Sequence, residues 1–188
     1  MNEFMNVKRR IALILMILLA LLLVGCSEHS SALETADLTS LHKIGTQEGE
    51  TVYQLAIENR SGFAITALSA KCEEKKEFTG NTLKKGEPFD YGEIRLLCFA
   101  SSSPASAPGD YEMSLVLGRD LFRTIHSVPF SETDRCTIYS DGDYCYLEYK
   151  TFSGETVSTK KQERALYEAE EELQNNHQGC IGDEGLVY

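Results

Sequence analysis

Apolar residues are spread along this chain in three different ways, and each predicts a different kind of element. Ile11 to Val24 is an unbroken run of fourteen apolar residues following Lys8-Arg9-Arg10. From Thr51 onward, apolar and polar residues alternate in short stretches. Beyond Thr159 the apolar spacing changes to three and four.

Alternation with a period of two is the mark of a strand with one buried face. Val52-Tyr53-Gln54-Leu55-Ala56-Ile57 carries it, with Leu55 and Ile57 on one side. Asn59-Arg60-Ser61-Gly62 interrupts it with residues that tolerate turn geometry. Phe63, Ile65, Ala67 and Ser69 then share a face, so residues 52–72 predict a hairpin. Leu83-Lys84-Lys85-Gly86-Glu87 predicts a second turn, and Ile94 to Phe99 a short strand buried on both faces. Pro104 and Pro108 exclude ladder pairing from the Ser/Ala/Pro stretch of residues 100–109. Tyr111 to Leu117 alternates again, as does Phe122 to Val128. Cys136-Thr137-Ile138-Tyr139 and Tyr144 to Tyr149 flank Ser140-Asp141-Gly142-Asp143, the clearest hairpin of the chain. About seven strands at 8–12-residue spacing predict a mainly β fold, an antiparallel Ig-like β-sandwich over residues 51–157.

A C-terminal α-helix is predicted over residues 158–176. Thr159-Lys160-Lys161-Gln162 fits a capping box, and Leu166, Ala169 and Leu173 form a narrow apolar stripe expected to pack on the sandwich. Residues 177–188, with Gly179, Gly182 and Gly185, read as a flexible tail.

The N-terminal run reads as an export signal. Fourteen helical residues cover roughly 21 Å, short of the ~30 Å hydrocarbon core of a bilayer. The basic start, the apolar run and the small residues at its end are the parts of a cleavable leader. Its last residues, Leu23-Val24-Gly25-Cys26, resemble the bacterial lipobox, which implies that the Cys26 thiol takes diacylglycerol and that residues 1–25 are removed. Two acyl chains at ~0.8 kcal/mol per buried CH₂ make a stable anchor. Residues 26–50, rich in Ser, Thr, Glu and His, then read as a lipidated flexible tether with a span of roughly 27 Å. The expected location is the extracytoplasmic face of a bacterial cell membrane.

Charge and length narrow the function. Cleavage removes three basic residues and one acid, taking the net charge from −11 to −13. So acidic a surface disfavours nucleic acid and anionic headgroups. The remaining length suits one domain with tails, not a two-lobed solute-binding protein. With no tryptophan, a carbohydrate platform would rest on nine tyrosines and eight phenylalanines.

Outside the membrane the five cysteines other than Cys26 can oxidise. Cys136 and Cys145, on the two arms of one hairpin, are disulfide candidates, and so are Cys72 and Cys98 at the ends of two strand-like segments. Cys180 is left over, as a free thiol, an intermolecular bridge or a competitor for one of those pairings. No pair is separated by two residues, which gives a thioredoxin-like site no support.

Ile57-Glu58-Asn59-Arg60-Ser61-Gly62, Leu83-Lys84-Lys85-Gly86-Glu87, Tyr111-Glu112-Met113-Ser114-Leu115 and Tyr146-Leu147-Glu148-Tyr149 with Val157-Ser158-Thr159 carry a resemblance over about residues 51–170. The chain resembles a loosely defined group of lipoproteins from anaerobic Gram-positive bacteria, particularly gut Actinobacteria. The resemblance implies a single β-sandwich domain with a C-terminal helix, and no activity. The chain departs from the group in its cysteines and at Gly118-Arg119-Asp120, where an acid followed by glycine is expected.

Catalytic chemistry finds little footing. His126 is the only histidine of the predicted fold, and its neighbour Ser127 points to the opposite face of a strand. Glycine-flanked nucleophilic serines, phosphate loops and zinc-protease pairs are not found. His177 with Cys180 is too few ligands for a metal, and Asp141-Gly142-Asp143 is explained by its turn. We therefore expect no catalytic residues, no metal and no cofactor. The expected function is a lipid-anchored binding or scaffold protein with an envelope protein as candidate partner. An inhibitor or immunity-type lipoprotein braced by Cys136–Cys145 is the alternative, and a cell-envelope enzyme ranks below both.

Overall fold

Nine strands in two sheets share one core in the computed structural model, which describes residues 32–46, 51–72, 78–101 and 111–180. In chain order the elements are α1 (Ala32–Thr35), β1 (His42–Gly45), β2 (Thr51–Arg60), β3 (Ile65–Cys72), β4 (Ile94–Ser101) and β5 (Tyr111–Leu117). They continue with β6 (Leu121–Val128), β7 (Arg135–Ser140), β8 (Cys145–Lys150), β9 (Thr156–Ser158) and α2 (Lys160–Cys180). The larger sheet runs β1-β4-β2-β7-β8-β9 and the smaller β3-β5-β6. Leu55, Ile57, Leu97 and Ile138 from the first meet Leu68, Met113, Leu115 and Ile125 from the second, and all eight side chains are fully buried.

The mainly β expectation holds, with nine strands instead of about seven. The antiparallel expectation is corrected, because β1 pairs with β4 and β2 with β7 in parallel. The hairpin expected at Asn59-Arg60-Ser61-Gly62 is not one either, since β2 and β3 lie in different sheets. A buried side chain builds this crossing. Asn59 Nδ2 donates to the carbonyls of Phe63 and Phe89, both at 2.8 Å, while Oδ1 accepts from Ser61 N (3.1 Å) and Oγ (2.7 Å). Gly62 supplies the left-handed φ of +85°.

A bulge between Ile65 and Ala67 also resets the buried face of β3. Ile65 points inward as expected, but Leu68 and Ala70 follow it, and Ala67 and Ser69 turn partly outward. Three other expectations stand. Residues 95–99 of β4 are buried on both faces. Lys84–Glu87 is a turn, closed by Glu87 N to Lys84 O at 3.0 Å, and β7–β8 is a hairpin with Ser140 opposite Cys145.

The tether expected over residues 26–50 is corrected where it can be seen. Leu33 and Ile44 are buried, and β1 forms the edge of the larger sheet. Leu33 covers Ala56, Leu96 and Cys98 on the sheet's outer face, with Leu38 and Leu41 beside it. Arg135 Nη1 donates to the carbonyls of Leu33 and Ala36, holding α1 in place. Scattered leucines without a period thus cover the outer face of β4, a role their spacing does not announce.

The Cys136–Cys145 disulfide expectation is corrected by register. Cys136 lies opposite Tyr149 and Cys145 opposite Ser140. Four residues of strand, roughly 13 Å, therefore separate two Cα atoms that a disulfide needs within about 7 Å. Both thiols are free and buried in the shared core. Cys98 is also free, buried on the outer face of the larger sheet, whereas Cys72 ends β3 of the other sheet. The Cys72 and Cys180 side chains, the lipobox residues Leu23, Val24, Gly25 and Cys26, and residues 181–188 lie outside the described set. No described helix is long and apolar enough to cross a membrane.

A candidate binding cleft between the β6 edge and the C-terminal helix

The last helix docks through a different face from the one its apolar stripe suggests. Leu166 is only half-buried, Ala169 is exposed and Leu173 is 62% exposed. Among the described residues the buried positions are Thr159, just before the helix, and Glu163, the latter 1% exposed. The capping-box expectation is corrected as well, since Thr159 Oγ1 accepts from Leu147 N at 2.9 Å, and Thr159 N donates back to Leu147 O at 2.9 Å. That bond pair ties the start of α2 to β8.

One turn later Glu163 reaches the smaller sheet. Its Oε1 accepts the backbone N–H of His126 at 2.9 Å, and its Oε2 lies 2.8 Å from His126 Nδ1. His126 Nε2 faces Glu170 Oε1 at 3.4 Å. The Glu163 hydrogen bond is the main cause that raises the imidazole above its ordinary value of 6.5, against the opposing effect of burial. Because a carboxylate fills each side of the ring, the arrangement suits an imidazolium held in place and not a free general base.

Around this cluster lies a cleft of about 170 Å³. β6 contributes Phe122, Arg123 and Thr124, the β7–β8 turn contributes Asp143 and Tyr144, and α2 contributes Tyr167. Alternation along β6 puts Phe122, Thr124 and His126 on one side of the strand. Phe122 is 69% exposed at the rim. Arg123 crosses from β6 to the turn, donating to Phe122 O at 2.8 Å and Gly142 O at 2.6 Å. Its Nε is buried with no partner among the described residues. Tyr144 packs against Tyr167 with ring centres 6.2 Å apart, and its hydroxyl donates to Asp141, which also pairs with Lys160 at 2.9 Å.

A second cleft of about 190 Å³ runs along Ser127, Pro129, Tyr149 and Gln162, but its main polar pair is already closed by Tyr149 Oη to Glu132 at 2.8 Å. On the outer face of the larger sheet Tyr139 and Tyr146 stack at 5.4 Å and 19°. Their faces turn to each other, which leaves edges and not a flat platform for a sugar ring. No group of three or more His, Cys, Asp or Glu with metal-holding geometry occurs among the described residues. Burial pushes the Cys145 thiol up to about 11 and raises that of Cys136, so neither is a ready nucleophile.

Sequence reasoning singled out His126 here and missed its partners. Glu163 counts among five acids of an exposed helix face until its partner strand is known. The spacing Thr159, Glu163, Tyr167, Glu170 is as helical as that of Leu166, Ala169, Leu173, and it was the available signal. No family model, no curated protein and no solved structure matches the chain.

Proposed function

We propose that the chain is a lipid-anchored extracytoplasmic binding protein that engages an envelope partner through the cleft between β6 and α2. The observation that carries the binding half is Phe122, a large apolar side chain 69% exposed on an edge strand, beside aromatic walls and a charged rim. Apolar anchors flanked by aromatic and charged groups are the usual material of interfaces. Asp143, Glu170 and the net charge of −11 favour a partner with a basic contact surface. The location half rests on Lys8-Arg9-Arg10, the apolar run and Leu23-Val24-Gly25-Cys26, and the proposed kinship with lipoproteins of anaerobic Gram-positive bacteria rests on the motifs between residues 51 and 170. An Ig-like kinship is proposed on two stacked sheets with a shared core, against the parallel pairings of β1 and β2.

The inhibitor reading loses its brace, because Cys136 and Cys145 are far apart and free. The carboxylates facing both imidazole nitrogens support a non-catalytic role for His126. Metabolic labelling with a fatty-acid analogue tests the anchor. The wild type takes up label and partitions into detergent, and Cys26→Ser does neither. Label in the Cys26→Ser protein refutes the anchor. Photo-crosslinking from position 122 tests the binding half.

A further inference from the structure

β6 is an open edge of the smaller sheet, and edges of this kind invite pairing with other chains unless something covers them. Val116 O, on β5, accepts from Thr66 on the β3 side at 3.2 Å. Its β6 partner Phe122 therefore turns its own peptide groups away from β5, toward the free edge. The His126 N–H points the same way, and α2 meets it through Glu163. What α2 brings to this edge is polar: a buried carboxylate, a second carboxylate and an imidazole between them.

We propose that α2 is a proton-governed cap on the β6 edge, latched while His126 is an imidazolium between Glu163 and Glu170. In that state the positive ring compensates a Glu163 carboxylate that is 1% exposed, and both ring N–H groups face an oxygen. When the ring loses a proton, Nδ1–H keeps Glu163 but Nε2 becomes an acceptor 3.4 Å from the Glu170 oxygen. The buried carboxylate then loses the cation it is paired with, which is unfavourable. Arg123, Asp141 and Arg164, charged groups of β6, the turn and α2, have partners of their own, except that Arg123 Nε is buried with none among the described residues. Arg123 of β6 holds Phe122 O and Gly142 O, Asp141 of the turn holds Lys160, and Arg164 of α2 holds Glu168 at 2.7 Å. Asp143 of the turn lies on the cleft wall and adds negative charge.

The sign follows from linkage. Docking raises the His126 value above 6.5, so the latch is at full strength below about 6.5 and is lost as pH rises through the docked-state value. The cap therefore loosens on the alkaline side. This holds whatever the cleft binds and wherever the chain is located.

Hydrogen–deuterium exchange of the full chain, with labelling times corrected for intrinsic exchange at each pH, reads the cap directly. Protection of peptides covering residues 160–167 and 121–128 should fall severalfold between pH 6 and pH 9 in the wild type, with a midpoint above 6.5. His126→Asn keeps an N–H near the Nδ1 position but does not titrate, so its protection should be flat over that range. Glu170→Gln, altered at an exposed position, should move the wild-type midpoint to lower pH. It keeps the proposal testable should the asparagine variant fail to fold. Flat protection in the wild type overturns the proposal, as does an unshifted midpoint in Glu170→Gln or a wild-type profile in His126→Asn.

Discussion

Replacing Glu163 with alanine should destabilise this fold more than any single change in the apolar stripe of its helix. The carboxylate accepts two hydrogen bonds from His126, at 2.9 Å from the backbone and 2.8 Å from the ring, in a site 1% exposed. Stranding a buried N–H costs about 1–3 kcal/mol, and losing a charge-assisted bond costs about 1.5–3 kcal/mol. The imidazole is 24% exposed, so water recovers part of the second loss. The total is about 2–4 kcal/mol. For a domain of this size that is a fall in Tm of about 5–15 °C. Leu166→Ala removes a half-buried side chain and should cost about 1 kcal/mol or less. Thermal unfolding at pH 6, where the ring is protonated, compares the two. A larger loss in Leu166→Ala than in Glu163→Ala refutes the polar docking of α2.

Three further outcomes follow from particular contacts. Asn59→Ala deletes four hydrogen bonds of a fully buried side chain and should cost about 2–4 kcal/mol by urea unfolding; a loss below about 1 kcal/mol contradicts its role at the sheet crossing. Gly45 has φ +86°, and a Cβ there runs into Cys98 O, so Gly45→Ala should free residues 33–46 to protease before the rest of the fold; unchanged digestion contradicts the packed N-terminal strand. Cys136 and Cys145 should resist alkylation in the native protein, react fully in denaturant and give no linked peptide without reductant; a linked peptide overturns the hairpin register.

The positions of β2 to β8 were legible because alternation reports a half-buried strand directly, whereas β1, inside the expected tether, and the three-residue β9 were not. The Tyr111–Leu117 strand buries alternate residues from Tyr111 onward, as its pattern predicts. Pairing was not legible, because alternation carries no information about which strand lies alongside. Asn59 to Gly62 has the composition of a hairpin turn, yet its buried Asn59 side chain bonds to Phe89 and directs the chain across to the other sheet. The Ile65–Ala67 bulge flips a face that strict alternation would preserve. Cys136 and Cys145 flank a turn whose register spaces them four residues apart along the strands. At the cleft, His126 was visible as an isolated histidine on a strand. Glu163 was hidden because a helical acid is ordinarily solvated, and only the β6 edge makes it a buried acceptor.

Photo-crosslinking in intact cells tests the proposed binding function most directly. A photoreactive residue at position 122 samples the cleft rim. One at position 152 replaces Phe152, 70% exposed and not part of the cleft lining, and serves as the comparison. We expect a discrete adduct with an envelope protein from position 122, absent from position 152 and weakened by Glu170→Lys, which reverses charge on the cleft wall. The same adducts from both positions, or an adduct at 122 indifferent to Glu170→Lys, contradict a binding site at this cleft.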